Sequence, residues 1–258
     1  GGSTAGIDPQ ELLDTRPFAR AWHHHVLNER GLFGLPRKFN VAFDGGGRVA
    51  TLEDTNDVGF QAVEVREGAG VPPGDPVSQW LFNLISHWSS DIGVVLPPEE
   101  ATAVADAIIR VFSATGDRTN RAKSRMKYVL DAIGFDAYLA KVEAHLGRPL
   151  ARVDAAHVAP RPAQDRQAHV GVHPQKQPGL NWLGVALPVG KLTTDQMRAL
   201  AGVSRDLGDG DLRLTVWQNL LLSGVPDEAV GEAVARIDAM GLGTRATSLR
   251  AGLVACTG

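Results

Sequence analysis

The last third of the chain constrains the fold most, because its apolar residues change period in a fixed order. Residues 183–187 make an apolar run of strand length. Over residues 194–207, Met197, Leu200, Ala201 and Leu207 recur at helical spacing. Leu212, Leu214 and Val216 then alternate as on a strand. Residues 220–225 read as the next strand, joined to the previous one by a tight turn at Gln218 and Asn219. Pro226 opens a helix with Val230, Ala233, Val234, Ile237 and Met240 on its inner face, and residues 244–249 read as a final strand. The order β-α-β-β-α-β is the split unit of ferredoxin-like folds.

The upstream part mixes the same two periods. Asp8 and Pro9 are spaced as a helix cap and first helical residue, and Pro17 starts a helix with Phe18, Trp22 and Val26 on one face. Phe39, Val41 and Phe43 alternate as a strand, the glycines at 45–47 need positive φ, and residues 60–65 form a second strand. Residues 68–76 are a Pro/Gly loop, and a further strand lies near 80–85. Ala101, Val104, Ala105, Ile108, Val111 and Phe112 make one helical stripe over 97–112. Met126, Val129, Leu130 and Ile133 make another, and Tyr138, Leu139, Val142 and Leu146 a third. Residues 151–167 are polar and Pro-rich and read as a linker. The expected class is α+β.

With 258 residues, 43% apolar and 21% charged, the chain is long enough for one large or two ordinary globular domains. A net charge of −3 points away from broad nucleic-acid or membrane-surface binding, so any anion site must be local. No apolar run reaches the roughly 18 residues of a membrane span. One cysteine excludes an internal disulfide framework, and a soluble cytoplasmic protein is the expectation. There is no Walker loop, no GxGxxG after a strand and no serine nucleophile elbow. His23, His24 and His25 are consecutive, so on a helix they diverge and cannot chelate together.

One stretch stands out chemically. GDRTNRAKSRMKY, residues 116–128, sets Arg118, Arg121, Lys123, Arg125 and Lys127 against the single acid Asp117. Such a segment is either a solvated basic face or an anion site. In a regular helix, positions i and i+2 lie about 200° apart. Arg125 and Lys127 therefore converge only where the segment is irregular or lies at a helix start, which itself favours an anion.

The stretch GDRTNRAKSRMKYVLDAIGFD resembles the segment of sirohaem-containing nitrite and sulfite reductases that sends basic side chains to the sirohaem and its bound anion. AGIDPQELLDTRPFA, LPRKFNVAFDG, NDVGF, DLRLTVWQNLLLSGVPDE and LRAGLVACTG resemble that family in the same order, closest to the ferredoxin-dependent nitrite reductases. The resemblance implies a mixed-sheet sirohaem-facing domain over residues 1–150, the linker, a ferredoxin-like half-domain over 168–250, and at 251–258 the start of a 4Fe–4S cluster domain. It implies catalytic roles for Arg125 and Lys127 and cofactor contacts for Arg121, Arg37, Lys38 and Asn219. It also makes Cys256 the first cysteine of the cluster motif. Arg37 and Lys38 also read as surface charge, and Asn219 as a turn residue. Where relatives carry a Gly-Gly pair, this chain has Ile85, Ser86, His87 and Trp88. The implied cofactors are sirohaem and a 4Fe–4S cluster, the implied partners ferredoxin and a small anion. The family's first catalytic arginine motif and three of its four cluster cysteines fall outside these residues. The isolated chain is therefore expected to lack the cofactors, to be inactive, and to self-associate through exposed apolar surface.

Overall fold

Alternation along the strands decides which residues of the first half reach the core. The computed structural model describes residues 2–49, 51–65, 80–86, 90–165 and 167–255, and they fall into two compact units. In the first unit, Leu12–Gly46 and Leu52–Arg161, a five-stranded sheet runs in the order β1 (Val41–Asp44), β2 (Val58–Glu64), β3 (Trp80–Ser86), β4 (Ser90–Leu96), β5 (Ala151–Arg152). β1 and β2 are parallel, and the other neighbours are antiparallel. Phe43, Val58 and Phe60 point to one face, where they pack against α2 (Ala101–Thr115), α3 (Met126–Ile133) and α4 (Phe135–Leu146). The Phe43 and Phe60 rings stack 5.1 Å apart. α1 (Arg16–Asn28), begun by Pro17 as expected, adds Phe18 and Trp22 to this core. Tyr138, buried between α2 and α4, donates to the Ile108 carbonyl at 2.7 Å, and burial raises its hydroxyl pKa.

The opposite face of this sheet is covered by the chain expected to be a linker. Val153 packs with Val63 and Val95, Val158 bridges to Val65, and Ala159 N–H donates to the Glu64 carbonyl. The segment is Pro-rich and polar, yet its valines find a hydrophobic face and its backbone finds a strand edge. Gly59 of β2 is fixed by crowding on the same side, since a Cβ there would stand 2.7 Å from the Glu53 carbonyl oxygen.

The second unit comprises Gly2–Glu11, Gly47–Thr51 and Pro162–Gly258. Its four-stranded antiparallel sheet has the order β6 (Gly171–Pro174), β7 (Leu180–Val185), β9 (Leu220–Pro226), β8 (Leu212–Leu214). α5 (Thr194–Leu207) and α6 (Val230–Ala239) cover one face through Leu200, Val203, Ala233 and Ile237. On the other face Ile7 seals Trp182 and Leu221. Sequence periodicity placed α5, β8 and β9 correctly, but two expectations fail. Residues 244–249 form no strand. Gly243 makes one bridge to Ala186, and Thr247 then caps α7 (Ser248–Ala251), which ends any extended run. β6, from earlier in the chain, occupies the sheet edge beside β7. Asp8 starts no helix either. Its carboxylate accepts from Gln10 N–H at 2.9 Å and Arg48 N–H at 2.6 Å, tying a turn to a distant segment. The loop expected at 68–76 lies outside the described residues, as do His87 and Trp88. No helix among the described residues is long and apolar enough to cross a membrane.

Candidate functional site

Three short side-chain caps shape the basic segment. After α2, Asp117 accepts from Thr119 N–H and Oγ1, both at 2.7 Å, and from Asn120 N–H. The Thr119 hydroxyl bond, first among these contacts, lowers the Asp117 pKa. Asn120 then accepts from Ala122 N–H at 3.0 Å, capping a 3₁₀ turn over Arg121–Lys123, and the Ser124 hydroxyl donates to the Arg121 carbonyl. Arg125 is extended (φ −88°, ψ 152°) and occupies the N-cap position of α3. Lys127 lies in the first helical turn, its ammonium 4.8 Å from the Tyr128 ring centre. Met126 and Val129, both buried, anchor this turn to the core. Arg125 is thus outside the helix and Lys127 just inside it, so regular-helix divergence does not govern the pair.

The neighbouring cations have different duties. Arg118 donates to the Gly34 carbonyl, the Ser113 carbonyl and the Ser113 hydroxyl, tying loop to helix. Arg37 donates to the Arg121 carbonyl at 2.9 Å, which sets Arg37 against the basic segment. Lys38 is exposed in the adjoining loop. A hollow of about 240 Å³ adjoins the segment, lined by Thr115, Asp117, Lys123, Tyr128, Val129, Ala132 and Ile133. Arg125 and Lys127 do not line it.

Asn219 belongs to the second unit and is 2% exposed. Its Oδ1 accepts from Leu187 N–H at 2.8 Å and its Nδ2 donates to the Ala251 carbonyl at 2.8 Å. Both ends of the amide bond to backbone of this unit. Cys256 lies outside the described residues. No group of three or more His, Cys, Asp or Glu among the described residues could hold a metal ion.

Sequence reasoning missed a charged cluster in the first unit. Arg161 Nη2 donates to Asp44 at 2.7 Å and its Nη1 to Glu53 at 3.1 Å, while Gln61 Nε2 also donates to Glu53. Asp44 is 1% and Glu53 5% exposed. Burial, followed by the Asp44 charge, pushes the Glu53 carboxyl up to about 7. Partners more than a hundred residues apart leave no local pattern to find.

Residues 3–150 match the family description "Nitrite and sulphite reductase 4Fe-4S domain". The chain belongs to the nitrite and sulphite reductase family. Residues 173–240 match its ferredoxin-like half domain. The chain is 30% identical to the chloroplastic ferredoxin–nitrite reductase of Zea mays, over all of this chain and 46% of that protein. It is 33% identical to sulfite reductase [ferredoxin] 1 of Mycolicibacterium paratuberculosis, over all of this chain and 45% of that protein. The solved structure of the Mycobacterium tuberculosis NirA protein superposes with a TM-score of 0.86 at 27% identity, covering all of this chain and 46% of that one. The chain spans about half the length of the curated relatives it matches.

Members of this family carry sirohaem and a 4Fe–4S cluster. The basic segment fits the charge of a macrocycle edged with carboxylates. The hollow beside it does not fit the ring, because 240 Å³ is below the ~300 Å³ at which small-molecule pockets begin. The charge of the basic segment suits such a ring, and the volume of that hollow does not. A cluster takes four thiolates, and these 258 residues hold one.

Proposed function

We propose that the chain supplies the anion-facing basic segment of a ferredoxin-dependent nitrite reductase. The placement of Arg125 and Lys127 at the start of α3, inside the family match over residues 3–150, carries this reading. When bound, sirohaem supplies an electron-rich iron to which a small anion can coordinate. Arg121, with Arg37 against its carbonyl, holds carboxylates of the macrocycle. Arg125 stays charged at every working pH and draws in the anion by bidentate hydrogen bonding. Lys127 Nζ offsets negative charge on the anion and can hand it a proton. Cys256 serves as one of the four thiolates of the cluster. Ferredoxin is the electron donor, and a cytoplasmic location is part of this reading. Sulfite reduction is the second reading, favoured by the 33% identity to the mycobacterial sulfite reductase.

Sirohaem titrated into the chain and followed by its Soret band tests the proposal. Binding that weakens at least about tenfold in the R125A/K127A double variant, equivalent to ~1.4 kcal/mol, is the expected result. Binding that is indifferent to both residues would overturn it. The isolated chain is expected not to turn over nitrite with reduced methyl viologen, for want of a complete cluster.

A further inference from the structure

The hollow beside the basic segment has no part in the reading above, because neither Arg125 nor Lys127 lines it. It lies where the end of α2, the turn that follows and α3 meet. Gly116 lets the chain leave α2 sharply, since a Cβ there would stand 2.8 Å from the Phe112 carbonyl oxygen. Val129, Ala132 and Ile133 recur at i, i+3 and i+4 and so share one stripe of α3. Val129 is buried, but Ile133 is 38% exposed and Ala132 is open to solvent.

Polar groups surround this aliphatic stripe, and three of them keep bonding capacity. Asp117 Oδ1 accepts all three of the turn's donors, which leaves Oδ2 without a hydrogen-bond partner among the described residues. Lys123 is exposed and makes no ion pair among the described residues. The Tyr128 hydroxyl likewise has no hydrogen-bond partner there, and the Lys127 ammonium, 4.8 Å from the ring centre, favours the ring's position. The Thr115 hydroxyl differs, donating to the Val111 carbonyl at 2.7 Å inside its own helix. One anion, one cation and a phenol therefore stand around an aliphatic floor in about 240 Å³. A simple anion entering this hollow would meet Asp117, and a simple cation would meet Lys123, in each case a like charge. A molecule that carries both charges close together meets neither penalty.

We propose that the hollow binds a free α-amino acid with an aliphatic side chain. Its ammonium lies on Asp117 Oδ2, its carboxylate on Lys123 Nζ and the Tyr128 hydroxyl, and its side chain on Val129, Ala132 and Ile133. The bound molecule ties the turn after α2 to α3, the helix whose start carries Arg125 and Lys127. The site stands independently of any role for those two residues.

L-Leucine titrated into the 258-residue chain, followed by calorimetry and by amide chemical shifts, tests this. Saturable binding with a Kd on the order of 1 mM is expected, as suits so small a ligand in an open hollow. The shifts should centre on Lys123, Tyr128 and residues 129–133. Isocaproate lacks the ammonium of leucine, isoamylamine its carboxylate and glycine its side chain. Each is expected to bind at least about tenfold more weakly than leucine. Asp117→Asn keeps the Oδ1 acceptor for the turn and loses the charge, and Lys123→Met keeps the stem and loses the ammonium. Both are expected to melt as the parent does and to bind leucine at least about tenfold more weakly. Should Asp117→Asn lower the melting temperature, Lys123→Met, made on an exposed side chain, decides alone. Absence of saturable leucine binding would overturn the proposal. So would isocaproate or isoamylamine binding as tightly as leucine, which would mark a plain ion site, and so would leucine binding unchanged in Lys123→Met.

Discussion

Arg161 is the residue on which the back face of the first sheet depends. Asp44 and Glu53 are both buried and both accept from its guanidinium. Replacing Arg161 by methionine is expected to cost ~3–5 kcal/mol in urea unfolding, because two carboxylates stay buried without their cation. The same cluster makes stability depend on pH. Glu53 titrates at about 7 when folded and at 4.5 in its ordinary state, with burial as the main cause. Between those values the folded chain holds a proton that the unfolded chain has released. Its contribution to stability therefore falls as pH rises from 4.5 to 7 and is level above that. Glu53→Gln is expected to abolish this slope, so that the variant gains up to ~3 kcal/mol over the parent at pH 8 and little at pH 4.5. Thermal melts across that range check it. None of these three residues was legible as a cluster in the sequence, since the ion pairs join segments that periodicity treats as unrelated.

At the scale of elements, α5 was legible because Leu200 and its neighbours repeat at helical spacing and Thr193 and Gln196 form a capping box at the boundary. The edge strand was not. β6 has only four residues, too few for period 2 to register, and the stretch after α6 that looked extended is diverted by the Thr247 cap. The basic segment was legible as composition but not as geometry. Its shape comes from Asp117 and Asn120 bonding to backbone two residues on, which no charge count reveals. Asn120→Ala is therefore expected to loosen the Arg121–Lys123 turn by ~1 kcal/mol and weaken sirohaem binding while leaving the melting temperature of the chain nearly unchanged. Paired calorimetry and Soret titration separate the two effects.

At the scale of the whole molecule, β8 is an edge strand of its sheet, and Leu214 on it is 77% exposed, with Leu212 and Val216 also open to solvent. Such an edge invites pairing. The isolated chain is expected to self-associate at high concentration, and Leu214→Lys to return it towards a monomer, as read by light scattering. The second unit also borrows residues 2–11, whose Ile7 lies on Trp182 and Leu221. During synthesis this short ribbon emerges long before the tryptophan it must cover, about two-thirds of the chain later. The back of that sheet stays wet until Trp182 and Leu221 have been made, so a ribosome stalled between the two segments leaves a ribbon with nothing to cover.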